Sequence, residues 1–466
     1  VLIARAEVEG RVVDVRIQGG RIAALAERLE RRQDEEQLDA AGGALLPGLH
    51  DHHIHLLALA AARESVRCGP PQVDDAAALR EALARARART QPEAWIRGVA
   101  YHESVAGDLD RRALDRLVPD RALRIQHRSG ALWMLNSLAV ERARLADADH
   151  PGVERDERGR PTGRVLRADG WLRARLGHAP APSLAEVGTL LARRGVTGLT
   201  DATPGNGEQE LRLLAEAVEQ SALPQRLLVM GGPKLPEPRH PKLRRGALKL
   251  VLSEAQPVPF EALCDAIAGA HGQERPVAIH CVTRSELVLA ASALQSVGAR
   301  PGDRIEHASL APPEALALLS GLPVTVVTQP NFVRERGDVY SRDVDARDLP
   351  WLYRCQGFLD AGVALGGGTD APFGEPDPWL AMRAAVERRS EAGRRLGPDE
   401  ALTPERALAL FTSPSGAPGA SPRRVMMGAP ADLCLLDRPW RQARERLDAA
   451  DVAACWCGGS RVAGFE

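Results

Sequence analysis

Lysine is almost missing from this chain. Of 61 basic residues only Lys234, Lys242 and Lys249 are lysines, and arginine carries the rest of the positive charge. The formal net charge is −1, which leaves no excess of positive charge to attract nucleic acid or an anionic membrane, so specificity has to come from a pocket for a small molecule. No apolar run approaches the ~18 residues that would suggest a membrane span. The first residues, Val1-Leu2-Ile3-Ala4-Arg5, open into strand-like alternation rather than a signal peptide, and a cytoplasmic location is expected. Seven cysteines (Cys68, Cys264, Cys281, Cys355, Cys434, Cys455, Cys457) are an odd, scattered set without a Cys-x-x-Cys pair. That excludes a zinc ribbon and offers no disulfide framework, so they read as reduced thiols. Internal repeats and low-complexity tails are absent too, and no Gly-x-Gly-x-x-Gly fingerprint follows a strand, which argues against a dinucleotide-binding open sheet.

Histidine, by contrast, is concentrated. Four of the 12 histidines fall within Pro47-Gly48-Leu49-His50-Asp51-His52-His53-Ile54-His55. Residues two apart on a strand point to the same face, so His53 and His55 form a two-pronged claw while His50 and His52 share the other face with Ile54. Candidate strands ending in polar residues follow at 123–127, 198–202, 247–252, 277–280, 304–307, 324–328 and 363–366, after the first at 45–55. Helical patterns lie between most of them, at 182–194, 260–271, 285–296 and 312–320. Eight strand–helix units predict an α/β fold, a (β/α)8 TIM-like barrel over 47–422, with an insertion at about 63–170. The stretches 1–46 and 423–466 both read as short strands and are expected to pair in one discontinuous β-sandwich domain. In such a barrel His53, His55, His280, His307 and Asp370 all end strands at the C-terminal mouth. Lys249 lies within the fourth strand, an apolar run where an amine is expensive unless it is neutralised or used.

That ordered set, His-x-His, strand-four Lys, strand-five His, strand-six His and strand-eight Asp, resembles the amidohydrolase superfamily of metal-dependent hydrolases. Further motifs are similar to its family 3 branch: Trp95-Ile96-Arg97-Gly98, Asn136-Ser137, Pro161-Thr162-Gly163, Arg304-Ile305-Glu306-His307-Ala308, Thr369-Asp370-Ala371-Pro372 and Ala431-Asp432-Leu433. The chain departs from that branch at Tyr101-His102-Glu103, where a Trp-Asp-Glu-like triplet is usual, and at Gly130-Ala131, where a Gly-His pair is usual. The resemblance implies one or two divalent ions, with two favoured. His53, His55 and Asp370 would take one ion and His280 and His307 the other, with carbamylated Lys249 and a hydroxide between them. Zinc suits imidazole and carboxylate best, and other divalent metals fit the same donors.

The implied activity is hydrolysis of a C–N bond in an amide, formamide or cyclic amide by metal-activated hydroxide. Asp370 would act as proton acceptor and then donor, and His307 would help to stabilise the oxyanion. A deaminase of the same fold is the alternative, together with a metal-dependent lyase or isomerase. Deaminases of this fold carry a Glu three residues after the strand-five histidine, whereas His280 is followed by Cys281, Val282 and Thr283. Substrate contacts are expected from Tyr101, His102, Glu103, Trp133, Asn331, Arg334 and Phe373, Arg334 being suited to a substrate carboxylate. A small-molecule substrate is the expected partner, and a homo-oligomer is compatible with the chain.

Overall fold

Eight short strands form one parallel sheet in a computed structural model, which describes residues 1–176 and 182–464. They are β1 (Leu49–Ile54), β2 (Val196–Asp201), β3 (Arg226–Gly231), β4 (Leu243–Val251), β5 (Val277–Cys281), β6 (Arg304–His307), β7 (Thr325–Thr328) and β8 (Ala364–Gly367). Each strand pairs with its sequence neighbour, in the order β8-β7-β6-β5-β4-β3-β2-β1. Parallel strands covered by helices are buried on both sides and so read as continuous apolar runs; every residue of β1 and β2 is buried. The helices Ala185–Arg193 and Glu208–Glu219 precede β2 and β3, and Phe260–Gly272, Arg284–Val297, Pro313–Ser320 and Asn331–Asp343 follow β4 to β7; β3 joins β4 without a helix in this (β/α)8 barrel.

The ring closes at its C-terminal rim, beside the claw. The Asp370 N–H donates to His53 O at 2.8 Å and the His55 N–H to Ala371 O at 2.9 Å. Gly368 permits this approach, because a Cβ there would lie 2.5 Å from that of His53 and 2.7 Å from the His53 nitrogen.

One expected strand belongs elsewhere. The run at 123–127 is a strand, Ala122–His127, but it pairs with Trp95–Tyr101 and Leu132–Leu135 in a separate six-stranded sheet. The barrel position left open is filled by β3, whose apolar core Leu227-Leu228-Val229-Met230 runs into Gly231-Gly232 with no polar side chain to mark its end. Strands β4 to β8 keep the positions the sequence assigns them.

The two chain ends build two further four-stranded sheets. In one, Leu2–Val8 lies between Arg11–Gln18 and Gln37–Asp39, with Arg21–Ala26 outside; in the other, Leu433–Leu436 lies between Leu45–Pro47 and Val452–Cys457, with Ser460–Gly464 outside. Ile3, Val15 and Ile22 of the first share a single buried cluster with Leu433, Leu435 and Trp456 of the second. Neither end can bury its apolar face alone. Deleting 423–466 is therefore expected to make residues 1–45 protease-sensitive, as checked by limited proteolysis and mass mapping.

Residues Leu57–Ser183 form a second compact unit, wider at both ends than the insertion expected at about 63–170. Its six-stranded sheet has Leu79, Leu83, Ile96, Leu123 and Ile125 in one buried cluster and Trp133, Leu135, Val153 and Val165 in another. Among the described residues no helix is long and apolar enough to cross a membrane.

Candidate metal centre

Strand parity divides the first-strand histidines as their spacing requires. On the outer side His50 Nε2 meets Thr200 Oγ1 at 2.9 Å and His52 Nε2 meets Ser413 Oγ at 3.0 Å, so both rings are committed to packing. On the inner side His53 and His55 converge on Asp370. The Asp370 Oδ1 lies 3.1 Å from His55 Nε2 and 3.6 Å from His53 Nε2, and one donor atom from each of the three lies within 4.8 Å of the others. The His53 ring lies 4.7 Å, centroid to centroid, from that of His307, and His307 lies 4.5 Å from His280. The strand-end histidines of β1, β5 and β6 thus form one continuous cluster.

The far nitrogens of these rings are fixed by neighbours. His53 Nδ1 is hydrogen-bonded to Glu306 Oε2, His55 Nδ1 to Thr203 Oγ1 at 2.9 Å and His307 Nδ1 to Gln329 Oε1 at 2.7 Å. A carboxylate or amide oxygen on Nδ1 places the ring proton there and leaves the Nε2 lone pair for a ligand. Burial pushes His53 and His307 well below the ordinary histidine range, aided for His53 by Lys249 and for His307 by His280. Neutral imidazole is the form that binds metal.

Glu306 is held ionised in a fully buried setting. Burial alone would raise its pKa, but Arg304, Lys249 and the hydrogen bonds from Arg304 outweigh it and hold the carboxyl below its usual range. Arg304 and Glu306 share a face of β6, and Arg304 Nε donates to Glu306 Oε1 at 2.7 Å while its Nη2 reaches His52 O at 2.8 Å. Asp51 braces the same rim, accepting from Thr369 Oγ1 at 2.6 Å, the Thr369 N–H at 3.0 Å and the His53 N–H at 3.1 Å. Burial pushes its carboxyl up to about 7, against the pull of those hydrogen bonds.

Lys249, 6 % exposed on β4, has no hydrogen-bond partner for its Nζ. Burial lowers its pKa, opposed by the charges of Glu306 and Asp370. His53 Nε2 and Asp370 Oδ1 are likewise buried without a hydrogen bond. Buried polar atoms normally find partners, and the His53 and Asp370 atoms, 3.6 Å apart, fit a bound cation, whose preferred donors are imidazole nitrogen and anionic oxygen. The backbone turns sharply at the same place: His307 and Asp370 adopt φ of +71° and +55°, a region that histidine and aspartate enter more readily than most residues.

The residues expected to contact substrate are placed as follows. Asn331 is fully buried, its amide donating to Thr369 O at 3.0 Å and Glu335 Oε1 at 3.1 Å. The Phe373 ring stands edge-on to His55, 5.5 Å between centroids. Arg334 is half-buried on the helix Asn331–Asp343. Within the inserted unit, the Tyr101 hydroxyl donates to Gly107 O at 2.5 Å and Trp133 Nε1 to Asp169 Oδ1 at 2.8 Å, beneath the Arg124 guanidinium. His102 Nδ1 caps the short helix Glu103–Ala106, and Glu103 Oε2 meets His127 Nε2 at 3.2 Å.

The sequence marks Arg304 and Glu306 only as members of a motif, without a role for either, and does not single out Thr203 or Asp51. The available signal was charge in a four-residue barrel strand, Arg304-Ile305-Glu306-His307, where both charged residues share the parity that faces the barrel interior.

An amidohydrolase family model, that of family 3, matches residues 36–463 of the chain. N-substituted formamide deformylase of Arthrobacter pascens is 27% identical over 91% of this chain and 90% of its own length. A putative amidohydrolase of Bacillus subtilis, YtcJ, is 23% identical over 84% of this chain and 83% of its own. Among solved structures, an uncharacterized metal-dependent hydrolase from Pyrococcus horikoshii superposes with a TM-score of 0.74 at 20% identity, covering 94% of this chain and 97% of that one.

Proposed function

This chain belongs to the amidohydrolase family, and from that premise we propose that it hydrolyses the C–N bond of an amide, formamide or cyclic amide with the help of divalent metal. The observation that carries the reading is the convergence of His53, His55 and Asp370, with unpartnered donor atoms on His53, Asp370 and Lys249. His53, His55 and Asp370 would hold one ion and His280 and His307 a second, with a carbamate on Lys249 shared between them. Zinc matches the nitrogen and oxygen donor set. Bound there, such ions lower the pKa of a water toward neutrality and polarise a carbonyl.

The chain's own groups do the rest. Glu306 and Gln329 hold the His53 and His307 rings in one tautomer, so their Nε2 atoms remain acceptors. Asp370 is the carboxylate at the rim positioned to take the proton of the attacking water and return it to the leaving nitrogen. His307, between His53 and His280, keeps its Nδ1 proton on Gln329 and its Nε2 lone pair free, a tautomer that would serve as a ligand and has no proton to offer a developing oxyanion.

Amide hydrolysis is favoured over deamination by the fate of Glu286. It is 4 % exposed and caps the helix Arg284–Val297, accepting from the N–H groups of Val282 at 2.7 Å and Thr283 at 3.1 Å. A carboxylate engaged in this way is not free to shuttle protons. The test is chelation followed by reloading with zinc, assayed on a panel of amides for amine and carboxylate release. The stripped protein is expected to be inactive and to melt lower, since an ion that binds only the folded state stabilises it by RT ln(1 + [L]/Kd). Zinc should restore both properties. Release of ammonia from amino-substituted rings, with no amide cleaved, would point to the deaminase instead.

A further inference from the structure

Arg336 is a cation whose bonding capacity the fold leaves mostly unused. A guanidinium carries five N–H donors. Two buried arginines in this protein commit more of theirs: Arg388 donates to the carbonyls of Leu352, Tyr353, Leu396 and Gly397, and Arg275 to those of Gly231, Gly232, Gly246 and Ala247. Arg336 donates one bond, from Nη2 to Phe373 O at 2.6 Å, and lies 4.0 Å over the Phe332 ring. Among the described residues no carboxylate stands at ion-pair distance from it. The adjacent Glu335 makes no ion pair with it. Burial pushes that carboxyl up to about 7, and its Oε1 accepts from Asn331 Nδ2 and the Glu375 N–H, each at 3.1 Å.

The place is next to the metal centre. Phe373, whose carbonyl holds Arg336, presents its ring to His55, and its N–H donates to Asp370 O at 2.8 Å. Asp370 is among the charges that act on Arg336. Two hydroxyls complete the surroundings: Tyr340 Oη and Tyr353 Oη are 3.2 Å apart, and the Tyr353 N–H is tied to Ser309 O, two residues beyond His307. A hydrogen-bonded pair of hydroxyls uses one of its two protons and leaves the other to donate. Arg334 and Arg336 lie about 200° apart around their helix, so the two project to different sides, and the bond to Phe373 identifies the one on the side of the site.

We propose that Arg336, flanked by Tyr340 and Tyr353, is the subsite for an anionic substituent of the substrate, so that the amide cleaved carries a carboxylate, as in an N-acylated amino acid. The proposal rests on the amidohydrolase reading and narrows its substrate class. A guanidinium over an aromatic ring and beside hydroxyl donors binds a planar carboxylate through paired hydrogen bonds.

The test uses the zinc-reloaded full chain and two compounds that differ only in charge, N-formyl-phenylalanine, as both enantiomers, and N-formyl-phenylalaninamide. Steady-state KM and kcat are measured for each, and calorimetric Kd values are taken in the Asp370→Asn background, which reads binding without turnover. With Arg336 present the acid should be preferred by roughly 10- to 100-fold in kcat/KM and in Kd. Arg336→Gln should erase the preference through KM, with zinc content retained, and Arg336→Lys should keep part of it. Equal handling of the two compounds by the Arg336 protein, including no measurable binding of either, overturns the subsite, as does a preference that survives Arg336→Gln. A preference in Kd with neither compound cleaved supports the subsite while counting against amide hydrolysis, so the two proposals fail separately.

Discussion

Replacing Asp370 with asparagine is expected to lower kcat by roughly 10³-fold, within the range general acid–base catalysis commonly contributes, while metal content and melting temperature stay near wild type. The two roles proposed for this residue are separable. Its position is fixed by the backbone: the Asp370 N–H donates to His53 O and its carbonyl accepts from the Phe373 N–H, each at 2.8 Å. Its φ of +55° is a conformation that asparagine adopts as readily as aspartate, so the substitution adds no strain. The asparagine Oδ1 retains a lone pair where the carboxylate oxygen lies, 3.1 Å from His55 Nε2 and 3.6 Å from His53 Nε2. An amide cannot take up a proton at neutral pH, so the step that disappears is proton transfer from water to the leaving nitrogen. Elemental analysis, thermal melting and turnover on one amide substrate decide the matter together. Normal turnover in Asp370→Asn would refute the assignment of Asp370 as proton carrier.

The parts of the molecule that could be read in the sequence are those where costly side chains interrupt apolar strands. Strands β4, β5, β6 and β8 are marked by Lys249, His280, His307 and Asp370, and their order along the chain is their order around the ring. Strand β3 carries no such mark, ending in glycine, and a short buried apolar run has the same appearance in any sheet. The run Leu123 to His127 ends in a histidine as the strands at the mouth do and also pairs in parallel with a neighbour, so on pattern alone it competes with β3 for a place in the ring.

Side-chain partnerships were less legible. The bond between His53 and Glu306 spans 253 residues, and no local spacing encodes it. The phase of the helix after β7 was hidden for a different reason. Gln329 to Arg334 reads as a loop because Pro330 and Asn331 are turn formers, yet the helix begins at Asn331. With the start unassigned, nothing in the sequence says which of Arg334 and Arg336 faces Phe373. Tyr101 and Trp133 show the complementary limit. An aromatic with a polar atom suits either a substrate or a buried partner, and here Gly107 O and Asp169 take the polar atoms.

Lys249→Met is expected to move stability and activity in opposite directions. In the metal-free protein the lysine amine is buried without a hydrogen bond, a state that disfavours folding by about 1–3 kcal/mol. Methionine fills a similar volume without the polar atom, and Glu306 keeps its bonds from Arg304. The stripped variant should therefore melt higher than stripped wild type. Burial is also what makes the amine reactive, because it lowers the lysine pKa against the opposing pull of Glu306 and Asp370 and so raises the fraction carrying a free lone pair. In the proposed carbamylation that lone pair would add to the carbon of CO2: the N–C bond would form, an N–H proton would leave to solvent, and a costly amine would become an anionic oxygen donor. Without it the variant should hold at most one ion per chain and lose on the order of 10²-fold or more in turnover, an effect comparable with the loss of a catalytic group. Labelling with 13C-bicarbonate should give a carbamate signal in the wild type that is absent from Lys249→Met. A variant that binds two ions and turns over normally, or a fully active wild type without the labelled adduct, would leave Lys249 as a buried amine with no part in the chemistry.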